Sequence, residues 1–205
     1  MPSVACMVEG QGDWISIPII LRRIAEREGV FDLRIVGPFR VQRYAIVRPG
    51  ELERAVERAA RSVAGQGGIL LVLDADDDLP CQLGPSLARR AAAARGDVHT
   101  AVVIATREKE AWYVAAVASL RGERGIPEDA APPQDAEAIR GAKGWLARTM
   151  GRSYSEVTDQ PALSARFDLD MARARGGPLR RPRGTWHLGP FAKSAGPSGA
   201  SDSRL

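Results

Sequence analysis

The chain has little to offer a soft metal: two cysteines and two histidines in 205 residues. Cys6 lies inside an apolar run and Cys81 follows an acidic stretch. Their separation fits no zinc pattern, and two isolated thiols make no disulfide framework. Both read as packing or surface thiols in a reducing cytoplasm. His99 and His187 lack ligand spacing, so no zinc site is expected. No stretch approaches the roughly 20 apolar residues that span a bilayer, so no membrane association is expected. Residues 4–8 form a short apolar run with no basic segment before it, and the run passes straight into Glu9-Gly10. That fits a buried strand better than a signal peptide. Walker A and Gly-x-Ser-x-Gly motifs are both missing, which leaves NTPase and serine-hydrolase chemistry unsupported. Gly65-Gln66-Gly67-Gly68 precedes a strand, so it reads as a helix stop and not as a dinucleotide fingerprint. Internal repeats are also absent.

What is present is an ordinary globular composition, 44% hydrophobic and 26% charged, enough for one domain with a core. The isoelectric point near 9.5 suggests nucleic acid until the charge is located. Of 29 basic and 25 acidic residues, seven and one fall in 172–205, leaving 22 and 24 for the rest. The excess belongs to the tail, with Arg173, Arg175, Arg180, Arg181 and Arg183. No basic groove is expected in the folded part. Residues 176–205 hold Gly, Pro, Ser and Arg with little apolar periodicity and read as a disordered basic tail.

Strand and helix patterns alternate through the first 122 residues. Strands are expected at 4–8, 31–36, 69–73 and 100–105, with an extended piece or loop at 40–47. A helix follows Gly10-Gln11-Gly12 with Asp13 as its N-cap, and Pro18 is expected within its first turn. Residues 51–63 form an amphipathic helix, with Leu52, Val56, Ala59, Ala60 and Val63 inward and Arg54, Arg58 and Arg61 outward. Further helices are expected at 83–94, 108–120, 136–150 and 161–173. Trp14, Trp112 and Trp145 read as core or interface anchors. The alternation predicts an α/β fold whose central, mainly parallel sheet is covered on both faces, with a helical C-terminal extension. The domain reading is 1–170, with a core over 1–122 and the extension over 135–170. In such sheets ligands sit beyond the carboxyl ends of the strands.

Those ends are acidic. Glu9 follows the first strand within Val8-Glu9-Gly10-Gln11-Gly12-Asp13. Asp74-Ala75-Asp76 follows the fully apolar third strand, and Glu108-Lys109-Glu110 follows the fourth. Carboxylates gathered near a core lose hydration and repel one another, and a hard divalent cation relieves both penalties. Mg²⁺ (or Mn²⁺) is the expected cofactor. Glu9 suits metal ligation or general acid/base work, while Asp77 and Asp78 look like a solvated turn. Lys143 is a candidate phosphate contact, and Arg107 either neutralises a phosphate or pairs with a nearby carboxylate.

Val8-Glu9-Gly10-x-x-Asp13 followed by Leu71-Val72-Leu73-Asp74-x-Asp76 resembles the TOPRIM domain of topoisomerases, DnaG-type primases and OLD-family nucleases. The form is most similar to the OLD-like branch. Glu108-Lys109-Glu110-Ala111-Trp112 extends the likeness to a TOPRIM-like bacterial family of unknown function, over roughly residues 4–170. The resemblance implies a TOPRIM-like (Rossmann-like) fold and a Mg²⁺-dependent phosphotransfer site. Glu9 would act as general acid/base or ligand, Asp74 and Asp76 as the metal pair, and Glu110, then Glu108, as further ligands. Asp78 is a candidate for a second ion. The implied activity is a cytoplasmic phosphodiesterase or nuclease serving defence or repair. Its partners would be DNA or RNA, an ATPase on a separate chain, and a second copy of this one. The chain carries no ATPase domain of its own, which leaves a non-catalytic interaction or metal-sensing module as the rival reading.

Overall fold

The computed structural model describes residues 1–64 and 67–175. The tail at 176–205 lies outside the described residues. Four strands form one parallel sheet in the order β2-β1-β3-β4: β1 (Ser3–Val8), β2 (Arg34–Arg40), β3 (Gly68–Asp74) and β4 (His99–Ala105). The central strands β1 and β3 are the apolar runs, covered on both faces.

Alternation across the pleat divides the core in two. Val4, Cys6, Val8, Leu70 and Val72 point to one face. There they meet α1 (Gln11–Arg27), α5 (Ala111–Ala115), α6 (Ala142–Met150), α7 (Asp159–Arg166) and α8 (Leu169–Arg175). Ala5, Met7, Ile69, Leu71 and Leu73 point to the other, against α3 (Glu51–Ser62) and α4 (Pro80–Ala94). The C-terminal helices therefore share one core with α1. They complete the sheet's cover and are no appendage to it. Cys6 is buried there with its thiol pushed up to about 12 by burial, a packing residue and not a reactive one.

The element order follows the sequence reading, and several boundaries differ from it for local reasons. β2 begins at Arg34, three residues later than expected, and Phe31 is exposed. The strand runs through Gly37-Pro38, residues that read as breakers. An edge strand tolerates them because the register with β1 slips between Ala5 and Met7, a bulge opposite this pair. Residues 40–47 contain a short helix, α2 (Arg43–Ile46), where an extended piece or loop was expected.

Helix α1 starts two residues before the expected cap. Gly10 is its N-cap, and Asp13 sits one turn in, its carboxylate accepting the Gly10 N–H at 3.1 Å. Pro18 consequently lies well inside the helix and is buried, its packing against the core outweighing the lost backbone hydrogen bond. Trp14 is 43% exposed and not a core anchor; Trp112 is buried and Trp145 half-buried.

The expected helix at 108–120 is α5 plus a 3-10 turn, Val117–Leu120. Glu108 to Glu110 form a turn instead, the Glu108 and Lys109 carbonyls accepting the N–H groups of Ala111 at 3.1 Å and Trp112 at 2.9 Å, three residues on. The helix expected over 136–150 begins only at Ala142, after Gly141 in the left-handed region at φ +76°. The one expected over 161–173 is two helices, because the Asp168 carboxylate accepts the N–H groups of Asp170 and Met171 and starts α8 anew.

Candidate carboxylate site at the sheet's carboxyl edge

Parallel register lines up the strand ends. Val8 pairs with Arg40 on one side and Val72 on the other, and Asp74 pairs with Ala105. One step beyond lie Glu9, the Asp76–Asp78 turn and the Glu108–Glu110 turn. All the acidic segments singled out in the sequence therefore reach the same edge of the sheet.

They do not form one cluster. The inner group is Asp74, Glu110 and Asp13 around Lys109. Asp74 Oδ1 accepts the Lys109 backbone N–H at 2.9 Å, while the Lys109 ammonium lies 2.5 Å from Asp13 Oδ1 and 2.7 Å from Ser16 Oγ. Lys109 is 1% exposed and Glu110 2%. Burial alone would lower the Lys109 pKa, but Tyr113, Asp13 and Glu110 facing it raise it, so it stays charged. For Asp13, burial works upward; the ammonium outweighs it, helped by bonds from Gly10 and Gln160, and holds the carboxyl low.

The inner group is short of positive charge. Burial first, then the Glu110 and Asp13 charges, push Asp74 up to about 8 against the pull of Lys109. Burial also raises Glu110, although Lys109 and Lys143 oppose it. Lys143 Nζ stands 4.0 Å from Glu110 and 2.6 Å from Glu156, so it reaches the rim of the inner group. Glu108 turns the other way and accepts the Lys143 backbone N–H at 3.2 Å, at the start of α6.

The outer group is Glu9 and Asp76 with Arg43. Glu9 is raised by burial and by the Asp76 charge, with the Arg43 backbone N–H and side chain lowering it. The Arg43 guanidinium donates to the Ala75 carbonyl at 3.0 Å, pairs with Asp78, and lies 3.6 Å from Asp76. Asp76 itself is exposed in the left-handed region, φ +50°. Asp77 is open to solvent and draws Arg107 to 3.6 Å, the pairing alternative for that arginine.

Several of these residues escaped the sequence reading. Lys109 is the buried centre, which nothing in its local sequence marks. Ser16, Gln160, Tyr113 and Tyr154 form a polar shell behind it: Gln160 Nε2 donates to Asp13 at 2.8 Å and Ser16 at 3.1 Å, and Tyr154 reaches Glu110 at 3.5 Å. Only Ser16 carries a local signal, one helical turn from Asp13. Gly12 is needed for the same contact, because a Cβ there would meet Gln160 Oε1 at 2.0 Å and the Glu156 carbonyl at 2.8 Å.

The donor set suits a hard cation. Every candidate ligand is a carboxylate oxygen; Glu110 is buried and Asp74 half-buried, and loss of hydration raises the pKa of both. Among the described residues no three His, Cys, Asp or Glu side chains converge as a metal cage. An ion here would be held by one or two carboxylates with water completing its shell, the arrangement Mg²⁺ ordinarily accepts.

Residues 8–180 match the profile of a domain of unknown function (DUF4276). The chain belongs to that family. No curated protein and no solved structure matches it. The DUF4276 match spans every acidic segment of the edge together with the C-terminal helices that supply Gln160 and Tyr154. Among the described residues no helix is long and apolar enough to cross a membrane.

Proposed function

We propose that this DUF4276 domain is a Mg²⁺-dependent phosphodiesterase of the TOPRIM type, acting on nucleic acid in the cytoplasm. Defence or repair beside an ATPase on another chain is the setting that the OLD-like motif suggests. The supporting observation is Asp74, a carboxyl group pushed up to about 8 at the carboxyl end of a central parallel strand, with Glu110 and Asp13 as like-charged neighbours. A purely structural aspartate is normally paired until its carboxylate is favoured; this one awaits a cation. When bound, Mg²⁺ supplies Lewis-acid polarisation of a phosphoryl oxygen. Asp74 and Glu110 would hold it, with Asp76 and Glu9 at its outer side. Glu9, with its raised pKa, suits proton transfer from attacking water to the leaving oxygen. Lys143 at the rim of Glu110 is placed for a phosphate oxygen.

A second reading has its own observation. The Lys109 ammonium already lies inside the carboxylate group, bonded to Asp13. A lysine so placed substitutes for part of a metal's charge, as expected of a TOPRIM-fold interaction module without catalysis.

Cleavage of supercoiled plasmid and of single-stranded oligonucleotides with Mg²⁺ or Mn²⁺ separates the two. The phosphodiesterase reading expects metal-dependent cleavage that disappears in Asp74→Ala. Absence of cleavage by the folded protein, or equal cleavage by the variant, would contradict it.

A further inference from the structure

The folded part does contain a basic cleft. Arg40, at the carboxyl end of β2, and Arg54 and Arg58, on the exposed face of α3, converge over an open cavity of about 370 Å³. Val41, Ile46 and Ala55 line it as well, with Glu51 as its one carboxylate. The running charge hides this because the arginines come from two elements and are outnumbered elsewhere by carboxylates.

Two of the three arginines hold their charge free for an anion. Arg54 is paired with Glu51 at 2.5 Å. Among the described residues neither Arg40 nor Arg58 forms an ion pair with a carboxylate. The Arg58 guanidinium lies over the Phe39 ring, 5.2 Å from its centroid. Arg40 Nε donates to the Glu9 backbone carbonyl at 3.3 Å. Both are oriented by contacts that cancel no charge, so their remaining N–H groups can make the forked bonds that guanidinium offers phosphate.

The cleft also has a direction. Arg40 is level with Val8 in the sheet and bonded to Glu9, so the cleft's inner end abuts the outer carboxylate group. We infer that the Arg40–Arg54–Arg58 cleft seats phosphate groups of a nucleic-acid strand and leads the strand to Glu9. The inference rests on the phosphodiesterase reading only for what happens at that inner end. The seat itself is a matter of charge and shape.

The test measures binding in EDTA, where no cleavage occurs, using fluorescence anisotropy of a labelled oligothymidylate on the full chain. The tail is common to every variant and cancels in the comparison. Arg40→Gln/Arg58→Gln should bind about tenfold more weakly at low salt. The slope of log K against log salt should shrink by about 0.7 for each phosphate that the variant no longer neutralises. Arg61→Gln is the control, because it lies on the same helix, outside the cleft, paired with Glu57. A double variant with wild-type melting temperature and unchanged affinity and slope would overturn the inference. So would an equal loss in Arg61→Gln, which would mean diffuse attraction. Full displacement of the oligonucleotide by millimolar inorganic phosphate would also overturn it, by assigning the cleft to a small phosphorylated ligand. Weakened binding in the double variant, with no metal-dependent cleavage by the wild type, would leave the seat standing and remove the enzyme reading. Cleavage that needs Asp74 but ignores the arginines would do the reverse.

Discussion

Asp74→Asn should abolish metal-dependent cleavage and, at pH 8, make the protein more stable. Asparagine keeps an oxygen to accept the Lys109 N–H but carries no charge. In the wild type Asp74 titrates near 8, against about 3.9 for an unfolded aspartate. Between those values the folded state holds a proton that the unfolded chain has released. Stability therefore falls as pH rises through that window and levels off above about 8. The variant lacks this slope. At pH 8 it should gain on the order of 3 kcal/mol, or about 6–12 °C in melting temperature, and near pH 4 the difference should vanish. Mg²⁺ should restore most of the wild-type loss at pH 8 and do nothing for the variant. Activity should fall more than about 100-fold, beyond what loss of an outer-shell partner costs a metal site. Parallel melting curves of the two proteins at pH 4 and 8 would check the sign. A variant less stable than wild type at pH 8 would mean that Asp74 is an ordinary structural carboxylate.

Asp159→Ala should have the opposite effect, a large loss of stability. Asp159 has no exposed surface and lies at the start of α7. Its carboxylate takes bonds from Arg152 at 2.7 and 2.8 Å, from Arg124 at 2.8 Å, and from the Ser155 N–H at 2.9 Å. Arg152 in particular holds its pKa well below the usual carboxylate range. The two arginines are partly exposed and recover water when the carboxylate goes, so the loss should be about 3 kcal/mol, roughly 6–12 °C. A lowered folded pKa gives stability that is present above the unfolded value, about 3.9, and is lost as pH falls through the lower one. Acid unfolding of the wild type should thus steepen below about pH 4, and the variant should lack that component. Thermal melting against pH measures both effects. An unchanged melting temperature would show that these bonds contribute nothing to holding the start of α7 against the Arg124 and Arg152 segments.

The fold was legible where periodicity is strong. The apolar runs of β1 and β3 and the 3.6-residue stripe of α3 appear almost residue for residue. Errors fell where a tertiary contact overrides a local signal. Gly37-Pro38 reads as a break until the bulge opposite β1 is known. For the site, strand ends alone sufficed to place Glu9, Asp74 and the Glu108–Glu110 turn on one edge. Burial was invisible in the sequence. Nothing in Arg107-Glu108-Lys109-Glu110 tells which charge turns inward, and Gln160 comes from a helix about 150 residues away from Gly12. The arginine cleft was missed for the same reason, since net charge along a chain does not say which residues meet.

If a divalent cation completes the carboxylate group around Asp74, its binding must be coupled to the Asp74 proton. Calorimetric titration with Mn²⁺ near pH 7, in two buffers of different ionisation enthalpy, tests it most directly. Saturable binding with proton release is expected, because the ion must displace the proton that burial and the neighbouring Glu110 and Asp13 charges hold on Asp74. Both heat and proton release should disappear in Asp74→Asn. No binding by the wild type, or binding that persists in the variant with the same proton count, would contradict it.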